Sequence, residues 1–193
     1  VDLGIRYLTL YAFSSENWSR PKLEVQALME LLVNTLAKET QTFIKNGVRL
    51  NTIGNISDLP KRCQEKLLEI IDLTKNNNTC ILTLALSYGS RMEIVESTKS
   101  ICAQVLAGTL NLEDINEKTI SKNLETNDLP DPDLMIRTSG EQRISNFLLY
   151  QLAYTELCFL PIMWPEFVRE HLFEAVYNYQ SRERRFGKTS EQL

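Results

Sequence analysis

Residues Asp133–Pro161 read D-L-M-I-R-T-S-G-E-Q-R-I-S-N-F-L-L-Y-Q-L-A-Y-T-E-L-C-F-L-P. Leu134-Met135-Ile136 is a short apolar run of the buried-strand kind, ending in Arg137. The polar loop Thr138–Arg143 follows, and an apolar-periodic segment opening near Ser145 predicts a helix. Strand, loop and helix in that order aim backbone N–H groups and the positive end of a helix dipole at one spot. Arg137 and Arg143 flank that spot, with Ser145 at the N-cap. A guanidinium forks onto two anionic oxygens, which suits a phosphate better than a lysine ammonium does. The competing reading is a solvated loop with surface salt bridges. Two arginines bracketing one helix start favour the anion site.

Outward from this stretch, strands alternate with helices. Ile5–Phe13 is a continuous apolar and aromatic run, read as a central strand, and the polar loop Ser14–Arg20 follows it. Lys22–Asn46 carries the helical stripe Val25, Leu28, Met29, Leu32 and Leu36, closed by Gly47. Val48–Ile53 is a short strand. Ser57 or Asp58 caps the next helix, with Pro60 in its first turn and Leu67, Leu68 and Ile71 on its inner face. Cys80–Leu86 reads as another buried strand. Arg91–Leu106 returns to helical spacing through Ile94, Val95, Thr98, Ile101, Cys102 and Val105. Thr109–Asp133 is the least regular part, with a short helix near Glu117–Leu124. Leu157–Ile162 is a last strand and His171–Arg185 a terminal helix.

This alternation predicts an α/β fold: a single domain with a central, mostly parallel sheet covered by helices. Five strands are visible, and a sixth is expected in the N-terminal segment that this sequence lacks. In these sheets ligands bind outside the carboxyl ends of the strands. Both Ser14–Arg20 and Thr138–Arg143 follow strand C-termini and are therefore expected to converge.

With 193 residues, 43 % hydrophobic and 24 % charged, the chain is of globular composition. A net charge of −4 argues against a broad nucleic-acid surface, so a bound phosphate would rely on a few focused arginines. Cys63, Cys80, Cys102 and Cys158 lack metal or redox spacing and read as reduced, mostly buried thiols of a cytoplasmic protein. No run is long and apolar enough to span a bilayer. The chain opens V-D-L-G-I-R-Y without Met. Val1–Leu3 reads as the tail of a helix that begins earlier, and the sequence as a fragment lacking its N-terminal segment.

Three blocks carry a family resemblance. R-T-S-G-E-Q-R-I-S-N-F with the following L-x-x-Q-x-A-Y-x-E, L-T-L-Y-A-F-S-S-E-N-W-S-R-P at Leu8–Pro21, and R-E-R-R-F-G at Arg182–Gly187 stand far apart and in order. Together they make the chain resemble the cis-prenyltransferases of the undecaprenyl diphosphate synthase family. The resemblance covers essentially the whole chain. It implies an isoprenyl transferase that condenses isopentenyl diphosphate with an allylic diphosphate, farnesyl diphosphate or similar, giving a cis-polyprenyl diphosphate. The product would be undecaprenyl diphosphate for the lipid carrier of cell-wall synthesis. It also implies Mg²⁺, a homodimer and an apolar tunnel, for which Ala12, Leu28, Leu32, Leu82, Leu84 and Leu86 are candidates. Membrane contact would be peripheral.

On the matching positions, the resemblance implies that Arg137, Arg143, Ile144 and Ser145 hold isopentenyl diphosphate and that Glu156 binds Mg²⁺. Asn17 would be catalytic, assisting loss of the proton from isopentenyl diphosphate. Ser14, Ser15, Glu16, Trp18 and Arg20 would line the substrate site. Because a carboxamide is a poor base, Asn17 is read as orienting the substrate, with a diphosphate oxygen as proton sink. From position alone Glu156 is an exposed helix-end glutamate, Trp18 serves packing as well as it would serve substrate, and Glu24 complements a helix dipole. His171 reads as structural or exposed. Arg182, Arg184 and Arg185 read as a solvated helix face, or as a contribution to a dimer partner's site.

The family's M-D-G-N-x-R-W block, with its catalytic aspartate and allylic diphosphate loop, is absent from these residues. The 193 residues by themselves are therefore expected to be inactive in a condensation assay. Gln142 and the segment Ala85–Arg91 also depart from the family pattern. Two rivals stand beside the enzyme: a non-catalytic scaffold of the same fold, and a module binding a phosphate ligand. Retention of Asn17, Arg20, Arg137, Arg143 and Glu156 argues against a scaffold. The absence of any glycine-rich phosphate loop argues against a nucleotide module.

Overall fold

Strand β3, Cys80–Tyr88, is the spine of the first part of the chain, pairing in parallel with β1 (Tyr7–Ser14) on one side and β2 (Val48–Ile53) on the other. Its run C-I-L-T-L-A-L-S-Y is apolar enough to be covered on both faces, and Thr83 through Tyr88 are all buried. The registers Leu8↔Leu82 and Leu50↔Leu82 put three leucines on one face, and Leu84 and Leu86 extend the row. The computed structural model describes residues 1–183. Residues Val1–Pro130 form one compact unit and the residues from Asp131 a second.

In the first unit, helices α1 (Lys22–Lys45) and α2 (Lys61–Thr74) cover the leucine face. Met29, Val33 and Leu36 come from α1 and Cys63, Leu67 and Ile70 from α2, closing a core with Phe13, Leu50, Leu84 and Leu86. Gly47 ends α1 at φ 65° and turns the chain into β2, the left-handed C-cap that its position predicts. Val1–Leu3 make a single turn closed by Gly4 N–H to Val1 O at 2.8 Å. Helix α3 (Ser90–Leu106) follows β3 directly, and the short α4 (Glu117–Asn123) is capped by Asn116, whose side chain accepts from Lys118 N and Thr119 N.

Several expectations are corrected here. In this sheet β1 is an edge and β3 the centre; Tyr7 and Leu8 of β1 are 47 % and 43 % exposed, so an apolar run alone did not identify the middle strand. Ser57 and Asp58 do not cap α2 but lie in a separate 3-10 turn, Ile56–Asp58, and Pro60 is the residue before the helix. Leu68 is exposed and Ile70 takes the inward place, because the buried face of α2 runs Cys63-Leu67-Ile70-Thr74. The buried face of α3 is Ser90, Glu93, Ser97 and Ile101, while Val95 and Cys102 are exposed.

The second unit is built on β4 (Leu134–Arg137) and β5 (Glu156–Phe159), again parallel, with Leu134↔Glu156 and Arg137↔Phe159 at the ends. The five strands and their parallel pairing are as expected, hydrogen-bonded as a three-stranded and a two-stranded sheet among the described residues. The predicted helix from Ser145 is not formed; residues 138–155 make a run of turns. Ser145, Asn146 and Leu148 stand at φ 49°, 61° and 45°, and left-handed residues cannot carry the i→i−4 ladder of a right-handed helix. Beyond β5, Trp164–Glu166 makes a 3-10 turn, and helix α5 covers Arg169–Gln180, shorter than the predicted His171–Arg185. Arg184 and Arg185 lie outside the described residues. No helix among the described residues is long and apolar enough to cross a membrane.

Candidate active site

The carboxyl ends of β1, β2 and β3 are joined by polar side chains rather than by core. Ser14–Arg20, read from sequence as a loop, is wound into a 3-10 helix over Ser15–Ser19. Ser14 is its N-cap, and Asn17, at the third position, reaches back in a capping box: its Oδ1 accepts the backbone N–H of Ser14 at 2.9 Å. The carbonyl of Asn17 is therefore committed to the turn, which leaves its chemistry to the NH₂ side. Ser15 Oγ donates to Glu16 Oε2 at 3.2 Å. Arg20 is paired with Glu24 at 2.8 Å, one helical turn on, so Glu24 does more than complement a dipole. Both are about half exposed (48 % and 47 %), and such a pair contributes little to stability and opens readily to a stronger anion.

Trp18 serves packing and also faces open space. Its ring packs edge-on against Phe13, centroids 4.8 Å apart at 69°, and it borders two clefts. One, of about 610 Å³, is lined by Arg20, Lys22 and Arg62 together with apolar Val25, Met29 and Val33. The other, about 520 Å³, is lined by Asp58, Glu93, Glu96 and Glu125. Of the tunnel candidates, Leu84 and Leu86 are in the core, Leu28, Leu32 and Leu82 pack against it, and Ala12 is exposed; none of the six lines either cleft.

Sequence reasoning gave no role to the polar network that ties the three strand ends together. Trp18 Nε1–H donates to Ser87 Oγ at 2.8 Å, and Ser87 Oγ–H donates to Asp58 Oδ2 at 2.7 Å. Tyr11 O–H donates to Tyr88 O at 3.0 Å, and Tyr88 O–H to Glu93 Oε2 at 2.6 Å. Glu93, only 2 % exposed, also accepts the N–H of Glu125 at 3.0 Å, and the Glu125 carboxylate accepts the N–H of Gly54. Burial first, then the Glu16 charge, pushes the Tyr11 phenol up to about 12. Burial likewise raises Tyr88, reinforced by its bond to Glu93. Burial raises the Glu125 carboxyl, with the bond from Gly54 opposing and Glu93 adding to it. The signal that could have found these residues is their place: Asp58 follows β2, and Ser87 and Tyr88 end β3.

In the second unit Arg137 ends β4 and its side chain reaches Ser145. Its Nη1 donates to Ser145 Oγ at 2.7 Å and to Arg143 O at 2.5 Å. The physical basis changes, however: with no helix starting at Ser145, no helix dipole contributes, and the positive charge is that of the guanidiniums. The N–H groups of Ser139 and Gly140 are engaged by Ile162 O (2.6 Å) and Leu160 O (2.9 Å), so they belong to the loop's own structure. Arg143 pairs with Glu141, and both side chains are well exposed. Ile144 accepts the N–H of Phe147 at 3.1 Å through its carbonyl.

Glu156 is the first residue of β5, not a helix-end residue. It sits opposite Leu134, three positions from the Arg137–Phe159 end of the same ladder. At a rise of roughly 3.3 Å per residue, that is about 10 Å along the strands. Its Oε2 accepts from Arg182 Nη1 at 2.6 Å. No group of three His, Cys, Asp or Glu that could hold a metal occurs among the described residues. A hard cation that takes most of its ligands from phosphate and water needs only one or two protein carboxylates, so the donor type of Glu156 fits Mg²⁺ once Arg182 releases it.

The four cysteines are free, with Cys63 and Cys80 buried, Cys158 half-buried and Cys102 exposed. Burial raises the thiols of Cys63, Cys80 and Cys158.

Comparison with known proteins places this arrangement. The prenyltransferase family model described as undecaprenyl diphosphate synthase matches residues 1–187. An isoprenyl transferase of Clostridium tetani is 52 % identical over 186 residues, 96 % of this chain and 73 % of its own. A ditrans,polycis-undecaprenyl-diphosphate synthase of Vibrio vulnificus, specific for (2E,6E)-farnesyl diphosphate, is 47 % identical over 191 residues, 99 % of this chain and 76 % of its own. Among solved structures, lavandulyl diphosphate synthase from Lavandula x intermedia, crystallised with dimethylallyl diphosphate, superposes with a TM-score of 0.94. It is 38 % identical, with 97 % of this chain and 81 % of that one covered.

Proposed function

Because the chain belongs to the undecaprenyl diphosphate synthase family and is a cis-prenyltransferase, we propose that it condenses isopentenyl diphosphate with a farnesyl-type allylic diphosphate to give undecaprenyl diphosphate. In this reaction a carbon–carbon bond forms at the allylic carbon as its diphosphate departs, and the isopentenyl unit loses one proton.

Arg137, Arg143 and Ser145 hold the isopentenyl diphosphate, with Ile144 beside it. The observation that carries this assignment is the guanidinium of Arg137, fixed at a strand's carboxyl end on Ser145 Oγ. An anion arriving there replaces a neutral hydroxyl acceptor with a charged one, which the guanidinium holds more strongly. Ser14, Ser15, Glu16, Trp18 and Arg20 line the substrate site, and Arg20 turns from Glu24 to phosphate. Asn17 orients the isopentenyl unit through its NH₂ group, while a diphosphate oxygen takes the proton. Glu156 holds Mg²⁺; when bound, the metal supplies charge neutralisation on diphosphate oxygens. The enzyme works in the cytoplasm as a homodimer, touching the membrane peripherally where its hydrophobic product partitions.

Incorporation of radiolabelled isopentenyl diphosphate into an added farnesyl diphosphate, by the protein that carries the M-D-G-N-x-R-W block ahead of these residues, tests the reading. Chain-elongated product with Mg²⁺, abolished by EDTA, is the expected result. Binding of both diphosphates without elongation would replace it with the scaffold reading.

A further inference from the structure

Ser87 is the one link between Trp18 and Asp58 that the hydrogen bonds above define, and its geometry is unusual. It is buried, ends the central strand, and stands at φ 48°, a left-handed conformation that a non-glycine residue holds only where its surroundings enforce it. A serine hydroxyl has one proton to give. Here it points to Asp58 Oδ2 at 2.7 Å, which turns an oxygen lone pair toward the indole N–H at 2.8 Å. The other carboxylate oxygen of Asp58 is itself oriented by Asn55 Nδ2 at 2.8 Å. The order of donors is therefore set by the carboxylate, which can only accept, and the charged end strengthens the chain. Trp18 lies between Asn17 and Arg20 on one short 3-10 turn and borders both clefts.

We propose that Asp58, acting through Ser87, is a positioning residue that fixes the Trp18 indole and with it the turn carrying Asn17 and Arg20. It thereby governs affinity for the prenyl diphosphate. This rests on the reading of that turn as substrate-binding. The effect of Asp58 is to remove the rotational freedom of a ring that forms a common wall of two clefts. Without the relay the indole keeps its edge contact to Phe13 but loses its polar anchor.

Quenching is read on these 193 residues with Trp164→Phe, which leaves Trp18 as the sole tryptophan of the two in the sequence, and KM and kcat are read on the protein that carries the M-D-G-N-x-R-W block ahead of them. Asp58→Ala and Ser87→Ala should each raise KM for farnesyl diphosphate by about tenfold, with kcat changed less than about threefold. Acrylamide quenching of Trp18 should rise in both, and the double variant should lose no more than either single one. Asp58→Asn, which keeps an acceptor oxygen, should return KM to within about threefold. Unchanged quenching and KM in both single variants, or additive losses in the double, overturns the relay. So does a fall in kcat that tracks a collapse of the melting midpoint. If the parent protein fails to elongate farnesyl diphosphate at all, the substrate reading falls instead, and quenching alone decides whether the relay holds the ring.

Discussion

Arg182 Nη1 reaches the Glu156 carboxylate at 2.6 Å, bringing a residue just past helix α5 onto the first residue of β5. The carboxylate assigned to Mg²⁺ is thus held by a cation that any metal has to displace. Arg182→Gln should lower the Mg²⁺ concentration for half-maximal activity by about two- to fivefold, since a partly exposed pair is worth up to ~1 kcal/mol. Glu156→Gln should raise it at least about tenfold. A Mg²⁺ titration of initial rates reads both. An unchanged midpoint in Glu156→Gln removes Glu156 from the metal site.

Asn17 does two things that can be separated. As the capping-box residue that takes Ser14 N–H, its loss in Asn17→Ala should cost about 1 kcal/mol of stability. As the residue that orients the isopentenyl unit, its loss should lower kcat by about a hundredfold. Asn17→Asp restores the cap acceptor but not the NH₂ donor, so it should recover stability and not turnover. Full turnover in Asn17→Ala, measured by label incorporation beside a denaturation curve, ends the catalytic assignment.

The raised Glu125 carboxyl gives a pH dependence with a definite sign. Its folded value lies above the ordinary 4.5, because burial outweighs the bond from Gly54. The protonated form is favoured in the fold, so its contribution is fully present below about 4.5 and is lost as pH rises through the raised value. Glu125→Gln mimics the protonated group and keeps an acceptor for Gly54 N–H. It should therefore be more stable than the parent at pH 7 to 8, with the difference shrinking toward zero below about pH 4.5. Urea midpoints at several pH values check this, and a difference independent of pH contradicts it.

Gly54 cannot be replaced quietly. It stands at φ 95°, and a Cβ there would collide with Leu86 O and lie 2.9 Å from the Tyr88 Cβ. Gly54→Ala should destabilise by about 2 kcal/mol or more and disturb the Glu125 contact beside it. A substitution in the core, Leu67→Ala, should cost about 2–5 kcal/mol, because Leu67 is fully buried between α2 and the sheet. The two differ in kind: Leu67→Ala should shift the denaturation midpoint and leave KM alone, whereas Gly54→Ala should raise KM for the allylic substrate as well.

Local pattern was enough for much of this molecule. Val48–Ile53 is a strand to the residue, and α1 ends within one residue of its predicted close. Helix and strand periods, turn glycines and apolar runs are short-range signals, and they specify an α/β chain with parallel strands. The blocks that carry the family resemblance were legible in the sequence too, and with them the family and its cis-prenyltransferase activity. What a one-dimensional reading lacks is which distant groups meet. The apolar spacing after Ser145 looks helical, yet the Ser145 hydroxyl accepts from Arg137 and the residue turns left-handed, as do Asn146 and Leu148. The run Ile5–Phe13 looks central, yet strand order belongs to pairings between segments far apart in sequence. Trp18, Asp58 and Ser87 come from three separate strand ends, and only folding brings an indole, a hydroxyl and a carboxylate into one line.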